Sequence, residues 1–476
     1  MRDVLGRLKA LPGPIRVGVL GAGTAGKGLY YQAGITPGIA AVGLCDKVLA
    51  KATGAAEEFH RPYRVVETED EVEDAMKAGL VAICEDALLL ARSPSLDVLI
   101  EASNDVAGGA HHALAALEAG KDVVMMNAEA DLTFGPYLLC CAEERGQVYT
   151  SCDGDQPGCI ARLVDELELW GFKLVMAGNI KGYLDRYANP TSIRPEAEKR
   201  SLEPKMCAGF TDGTKLCVEM ALVANAYDLA TLRPGMLGPR CSRVQEALEL
   251  FDLPAIREQG KPVVDYVLGA RPYGGVFVIG YCDDPYQVRS FSWMPAETGK
   301  GPFFVFDRSY HLVYIEAMRC VAEAYLDREP LLAPRAGLKT DVYAYAKRDL
   351  RHGERLDGVG GYTCYGLIEN RERGGAGTGR QQGLPICLSE GVTLARDIAR
   401  DDKIYLDDVL YDPERPDFRL YRLAAGLMAS LPAGLRAKEE GPGRETSIGQ
   451  AGAEQARVAQ TAEEPAKGDR ALGEGP

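Results

Sequence analysis

Eight ionisable residues in the middle of the chain are of the types that carbonyl and proton chemistry uses: Asp153, Asp155, Lys181, Lys205, Asp212, Lys215, Glu219 and His311. A carbon that passes between carbonyl and alcohol needs a donor to its developing alkoxide, and Lys, His and Tyr meet that need. Lys215 and Glu219 stand four apart in FTDGTKLCVEMALVANAYDLA, a run of helical character, and so share one helical face. Spacing alone fits an ordinary surface ion pair equally well. Lys181 lies in the turn-rich GNIKG, from which a lysine can project into a cleft. Asp212 belongs to the Asp-Gly-Thr that opens the helical run, a form shared by capped helix ends and anion sites. Asp153 and Asp155 form an i, i+2 pair of a kind common in loops, and no metal site is assigned to them.

The elements that must position these groups begin near the N-terminus. IRVGVL reads as a buried strand, GAGTAG follows at once, and KGLYYQAG continues with helical character. This is the strand, glycine turn and helix that a dinucleotide requires. Gly21 permits the turn, Gly23 lets the backbone approach a pyrophosphate, and Gly26 allows close packing of helix on strand. Thr24 and Ala25 complete the first turn, whose free N–H groups face the phosphates. A second strand, AAVGLC, ends at Asp46, 20 residues beyond Gly26, where a carboxylate can take the ribose hydroxyls. Lys47 follows and could accept a 2′-phosphate, so NAD and NADP both stay open. LDVLIEAS and KDVVMMN continue a parallel sheet, and their ends place Ser103, Asn104 and Asn127 near the nicotinamide half of the cofactor. His111 and His112 lie in the intervening helix, one facing solvent and one packing. Residues 57–95, with the acidic ETEDEVEDAMKAGL, read as an insertion on this domain.

Composition narrows the class. The 476 residues are 46% hydrophobic and 26% charged, as in a globular protein of two to four domains. A formal net charge of −15 argues against a nucleic-acid partner. No apolar run spans a bilayer and no signal peptide is visible, so a cytoplasmic protein is expected. Thirteen cysteines without a CxxC pair or Cys/His cluster indicate neither a disulfide framework nor a structural zinc site. Towards the C-terminus, DVYAYAKRDLRHGERLDGVGGYTCYGLIE alternates as short strands, NRERGGAGTGRQQG reads as a mobile loop, and the chain beyond 434 lacks apolar periodicity and is expected to be disordered.

Taken together, GAGTAG, EASNDV, VVMMNAEAD, DGDQPG, AGNIKG, DRYANPT, FTDGTK and YHL resemble the homoserine dehydrogenase-like oxidoreductases with a C-terminal SAF domain. That group includes the 1-deoxy-D-xylulose-5-phosphate reductoisomerase-like enzymes, which use NADPH. The resemblance runs from about residue 14 to 422. Homoserine dehydrogenases carry Asn-Lys after the strand matching VVMM; here Ala128 and Glu129 follow Asn127. Their middle-domain helix carries Asp and then Lys four residues on; here Lys215 and Glu219 stand in the opposite order. The exchange argues against homoserine as substrate and implies active-site places for Lys215, Lys181, Asp212 and Glu219. Tyr310 and His311 are weaker candidates. KRDLRHGERL and LPICLSEGVTLARDIARDDKIYLDDV resemble SAF sequences, which implies a sugar- or polyol-like substrate.

The expected fold is α/β: an N-terminal Rossmann doubly wound sheet (14–150), an α/β substrate and dimerisation domain (151–332), a small β-rich SAF-like domain (333–425) and a disordered tail (434–476). The expected function is NAD- or NADP-dependent hydride exchange with a small polar compound in a homo-oligomer, without nucleic-acid or membrane partners. Lys181 and Lys215 would orient the carbonyl, while Asp212 and Glu219 hold the lysines or relay a proton. Reductoisomerisation is the alternative chemistry, and a nucleotide-sensing or scaffold protein is the non-enzymatic one.

Overall fold

The computed structural model describes residues 3–430 apart from 201, 292, 294 and 372–381. Most of the glycine- and arginine-rich run and the whole segment from 434 lie outside the described residues.

Seven short strands form the first sheet: β1 (Ile15–Leu20), β2 (Ile39–Cys45), β3 (Tyr63–Val65), β4 (Val81–Cys84), β5 (Val98–Glu101), β6 (Asp122–Met125) and β7 (Tyr149–Ser151). All pairings are parallel, in the order β3-β4-β2-β1-β5-β6-β7. Runs such as VLIE and DVVM are buried along their whole length because crossover helices cover both faces of the sheet. The helices include Thr24–Ile35 between β1 and β2, Val106–Glu118 between β5 and β6, and Ala128–Glu144 between β6 and β7. Strand order reverses between β1 and β5, and a doubly wound sheet holds its ligand beyond the carboxyl ends at such a point.

Residues 57–95 are not an insertion. They supply β3 and β4, with β4 hydrogen-bonded to β2 and β3 at the sheet edge. The four-residue VAIC is too short to signal a strand by periodicity, yet it is wholly buried.

The second sheet is mixed: β8 (Lys173–Lys181), β9 (Val263–Leu268), β10 (Val276–Tyr281) and β11 (Phe303–Arg308), in the order β11-β10-β8-β9. GNIKG, expected as a turn, is the carboxyl end of β8. Gly178 serves close packing there, since a Cβ would sit 2.3 Å from the Phe277 ring. Helices Gln156–Leu169 and Thr214–Tyr227 pack on one face of this sheet. Ile256, Phe251 and Val244 pack on the other with Val175 and Phe277. The helical run after β11 starts only at Met318, so His311 lies in the preceding turn region rather than at a helix start. Finally β12 (Thr340–Ala346) and β13 (Cys364–Asn370) form an antiparallel pair that lies against the Thr214–Tyr227 helix.

Candidate active site

The glycine turn has the geometry its sequence requires. Gly21 takes φ +94°, and a Cβ there would lie 2.6 Å from the Ala102 carbonyl oxygen. A Cβ on Gly26 would lie 1.8 Å from Gly21 O, so the helix can approach the turn only because both are glycine. Gly23 differs. It opens the Thr24–Ile35 helix without a side-chain cap, and a Cβ there would meet nothing within 4 Å. The helix start at Gly23 and Thr24 therefore borders open space, the cradle a pyrophosphate would fill.

Asp46 stands at the end of β2, where its Oδ2 accepts the Ala22 N–H at 2.7 Å and its Oδ1 the Val48 N–H at 2.8 Å. It ties the glycine turn to β2, and each oxygen keeps a lone pair for a further donor. Lys47 pairs with Asp105 across the crevice. At the end of β5 the fully buried Glu101 accepts the Ser103 N–H at 2.9 Å and the Ser103 hydroxyl, and contacts His112 Nδ1 at 2.8 Å. His111 is exposed. Asn127 caps the Ala128–Glu144 helix: its Oδ1 accepts the Ala130 N–H at 3.0 Å and its Nδ2 donates to Asp105 O at 3.0 Å.

Three helices begin beside this edge, and their first turns meet. Lys215 Nζ lies 2.6 Å from Glu129 Oε1, joining the start of the Thr214–Tyr227 helix to the start of the Ala128–Glu144 helix. Gln156, at the start of the third helix, points its amide nitrogen at two carboxylates, 2.8 Å from Asp155 Oδ1 and 3.2 Å from Glu219 Oε2. That orientation follows from its neighbours being acceptors.

The electrostatics of the cluster follow from crowding. Burial, then the nearby Asp155 charge, pushes the Glu219 carboxyl up to about 8 against the pull of Lys181 and Lys215. Glu219 is therefore mostly protonated at neutral pH. Burial lowers the Lys181 ammonium, although Glu219 and Asp212 act to hold its proton. Burial also works against the Lys215 charge, but attraction to Glu129 prevails and its pKa is raised. Burial thus disfavours charge on Lys181 and on Glu219, while Glu129 holds the charge of Lys215.

Asp212 is placed differently from the other three candidates. Its Oδ1 accepts the Thr214 N–H at 2.8 Å, and its Oδ2 lies 2.8 Å from Lys347 Nζ, close but without an aligned hydrogen bond. Lys347 donates instead to Ala188 O at 2.6 Å and Gly361 O at 2.7 Å. Both charged side chains are nearly inaccessible. Asp212 is thereby fixed by the C-terminal β unit, which also donates the Gly366 N–H to Thr214 Oγ1 at 2.8 Å.

Other candidates have partners elsewhere. Asp153 pairs with Arg162 at 2.7 Å, Lys205 with Glu390 at 3.2 Å, and His311 Nδ1 contacts Gly274 O. Glu129 and Gln156 were not foreseen as site residues. The exchanged order of Lys215 and Glu219 carried the signal for Glu129, since a lysine moved to this helix calls for a carboxylate opposite it. Among the described residues, no group of three His, Cys, Asp or Glu side chains is arranged to hold a metal ion. No helix among them is long and apolar enough to cross a membrane.

Residues 154–317 match the family described as oxidoreductase DRL, catalytic domain. That span contains Asp155, Gln156, Lys181, Asp212, Lys215 and Glu219, while Glu129 lies outside it. No protein in the curated comparison matches the chain. Among solved structures, the chain is similar to scyllo-inositol dehydrogenase from Lactobacillus casei, with 11% identity over 68% of this chain and 92% of that one, at a TM-score of 0.40. It is also similar to biliverdin reductase in complex with biliverdin and NADP+ from Synechocystis sp. PCC 6803, with 15% identity over 68% and 94%, at a TM-score of 0.38. At such values the reading of the site rests on its own geometry.

Proposed function

We propose that the protein is an NAD(P)-dependent oxidoreductase that exchanges hydride with a carbonyl or alcohol carbon of a small sugar- or polyol-like compound, phosphorylated or not. The observation that carries this reading is the cluster of Lys215, Glu129, Glu219 and Lys181 beside the glycine-turn sheet. The cradle of Gly21, Gly23 and Gly26 fits a dinucleotide, which when bound supplies or takes the hydride. Ser103 and Asn127 would hold its nicotinamide half and Asp46 its ribose.

In the reducing direction the substrate oxygen lies between Lys181 and Lys215. The two ammonium groups orient the carbonyl and draw off the negative charge that develops on its oxygen. Glu219 then gives its proton to that oxygen, and the carboxylate left behind is stabilised by both lysines. In the oxidising direction the same carboxylate takes the proton back. Glu129 holds Lys215 charged and aimed throughout. Asp212 keeps the first turn of the helix in place, consistent with its pairing to Lys347.

The division into 14–150, 151–332 and a SAF-like 333–425, and a cytoplasmic homo-oligomer, form part of the same reading. The test is a screen of NAD(H) and NADP(H) turnover against hydroxy acids, polyols and their phosphates. The panel includes 1-deoxy-D-xylulose 5-phosphate with and without a divalent metal, where product identity separates plain reduction from rearrangement. Turnover of a polyol or sugar derivative is the expected result. Tight cofactor binding with no turnover across the panel would contradict the proposal and favour a nucleotide-sensing protein.

A further inference from the structure

The second sheet contains a polar side chain that the protein itself leaves unanswered. Asn179 lies on β8 between Val276 of β10 and Tyr266 of β9, and is 1% exposed. Neither its Oδ1 nor its Nδ2 has a hydrogen-bond partner. Buried amides are nearly always satisfied, because an unmatched donor or acceptor loses its water and gains nothing in return. Among the described residues, Asn179 shares this condition with the Tyr30 hydroxyl and with one oxygen of Asp212.

Its position gives the omission a meaning. Side chains alternate along a strand, so Asn179 and Lys181 share one face of β8. Ala177, on that same face, packs in the core formed with Val164, Val218 and Leu222 of the helices Gln156–Leu169 and Thr214–Tyr227. Those helices carry Gln156, Lys215 and Glu219, and Lys181 lies in the field of Glu219. The amide therefore sits in the layer beneath the cluster, along the strand from the lysine. Two residues of extended chain place the two Cα atoms about 6–7 Å apart, the reach of a short carbon chain.

We propose that Asn179 binds substrate and sets its specificity, its amide taking a hydroxyl group of the compound whose carbonyl oxygen lies at Lys181. A hydroxyl donates and accepts at once, so one group can engage both the amide oxygen and the amide nitrogen. An analogue lacking that hydroxyl leaves the amide orphaned and is rejected, the strongest discrimination a small pocket can make. This inference deepens the proposed oxidoreductase reading and rests on it for the identity of the site.

The test uses Asn179→Leu, close in shape and without polar atoms, in the full-length protein. Ligand-free N179L should unfold at the same temperature as wild type or higher, because an unsatisfied amide is being removed. With the best substrate from the screen it should show a KM raised about tenfold or more, with NADPH affinity unchanged. A lower unfolding temperature means that the amide is satisfied within the protein, as by a buried water, and overturns the proposal. An unchanged KM overturns it as well. Asn179→Ser carries the same comparison if N179L does not fold. If wild type turns over no compound, the oxidoreductase reading fails by itself, and Asn179 is judged by thermal shift with xylitol and 1,5-pentanediol. A shift with xylitol alone that N179L lacks upholds the inference. Equal shifts in both proteins, no discrimination between the two probes, or no shift in wild type overturns it.

Discussion

Lys215 and Glu129 meet at 2.6 Å between the first turns of two helices, one packed on the mixed sheet and the other following β6 of the parallel sheet. Glu129 thus sets the charge of a lysine carried by the other part of the fold. Glu129→Gln removes the main attraction that holds the Lys215 proton, and burial then draws its pKa down. Turnover should fall by about a hundredfold, and the alkaline limb of the pH–rate profile should move towards neutrality. An unchanged profile would place the pair outside the chemistry.

Glu219 makes stability depend on pH in a direction opposite to that of an ordinary surface carboxylate. Its folded-state value of about 8 lies above the ordinary 4.5, so between these values the folded chain holds a proton that the unfolded chain releases. Its contribution is fully present below pH 4.5 and is lost as pH rises through 8. Glu219→Gln should flatten the fall in unfolding temperature between pH 5 and 8, as read by calorimetry across that range. Asp131 and Asp265, both pushed up to about 6 by burial, end their contribution earlier than Glu219 does.

The glycines of the turn separate cofactor binding from folding. Gly23→Ala adds a methyl into open space at φ −70°, so stability should hold while NADPH affinity falls. Gly26→Ala forces a methyl against Gly21 O and should lower the unfolding temperature with or without cofactor. Isothermal calorimetry beside thermal unfolding distinguishes the two.

Lys347 and Asp212 should behave as a buried pair. Lys347→Met strands a carboxylate and should cost about 3–5 kcal/mol in denaturant unfolding. The double change with Asp212→Asn should recover much of that loss. Equal losses in the single and double variants would show that the carboxylate is not what the lysine neutralises.

The contrast among these residues explains what the sequence could tell. Gly21, Gly26 and Asp46 belong to one strand–turn–helix–strand unit, so motif and spacing pointed to them. So did the four-residue interval between Lys215 and Glu219, which lies within one helix. Glu129, Gln156 and Lys347 come from elements far apart in sequence, and only the packing of three helix starts and the β12–β13 unit brings them in. A four-residue buried run such as β4 has no period to read, and the glycines of GNIKG suggest a turn although they serve packing, Gly178 against Phe277 and Gly182 against Tyr273. Asn179 gave no sequence signal at all, since what marks it is the absence of a partner.

The most direct test of the central claim is the Lys215→Met variant in single-turnover hydride transfer with the substrate found by screening. NADPH affinity should stay within about twofold of wild type while the transfer rate falls by about a hundredfold or more. Equal rates in the variant and the wild type would contradict the placement of this lysine at the reacting oxygen, and with it the site.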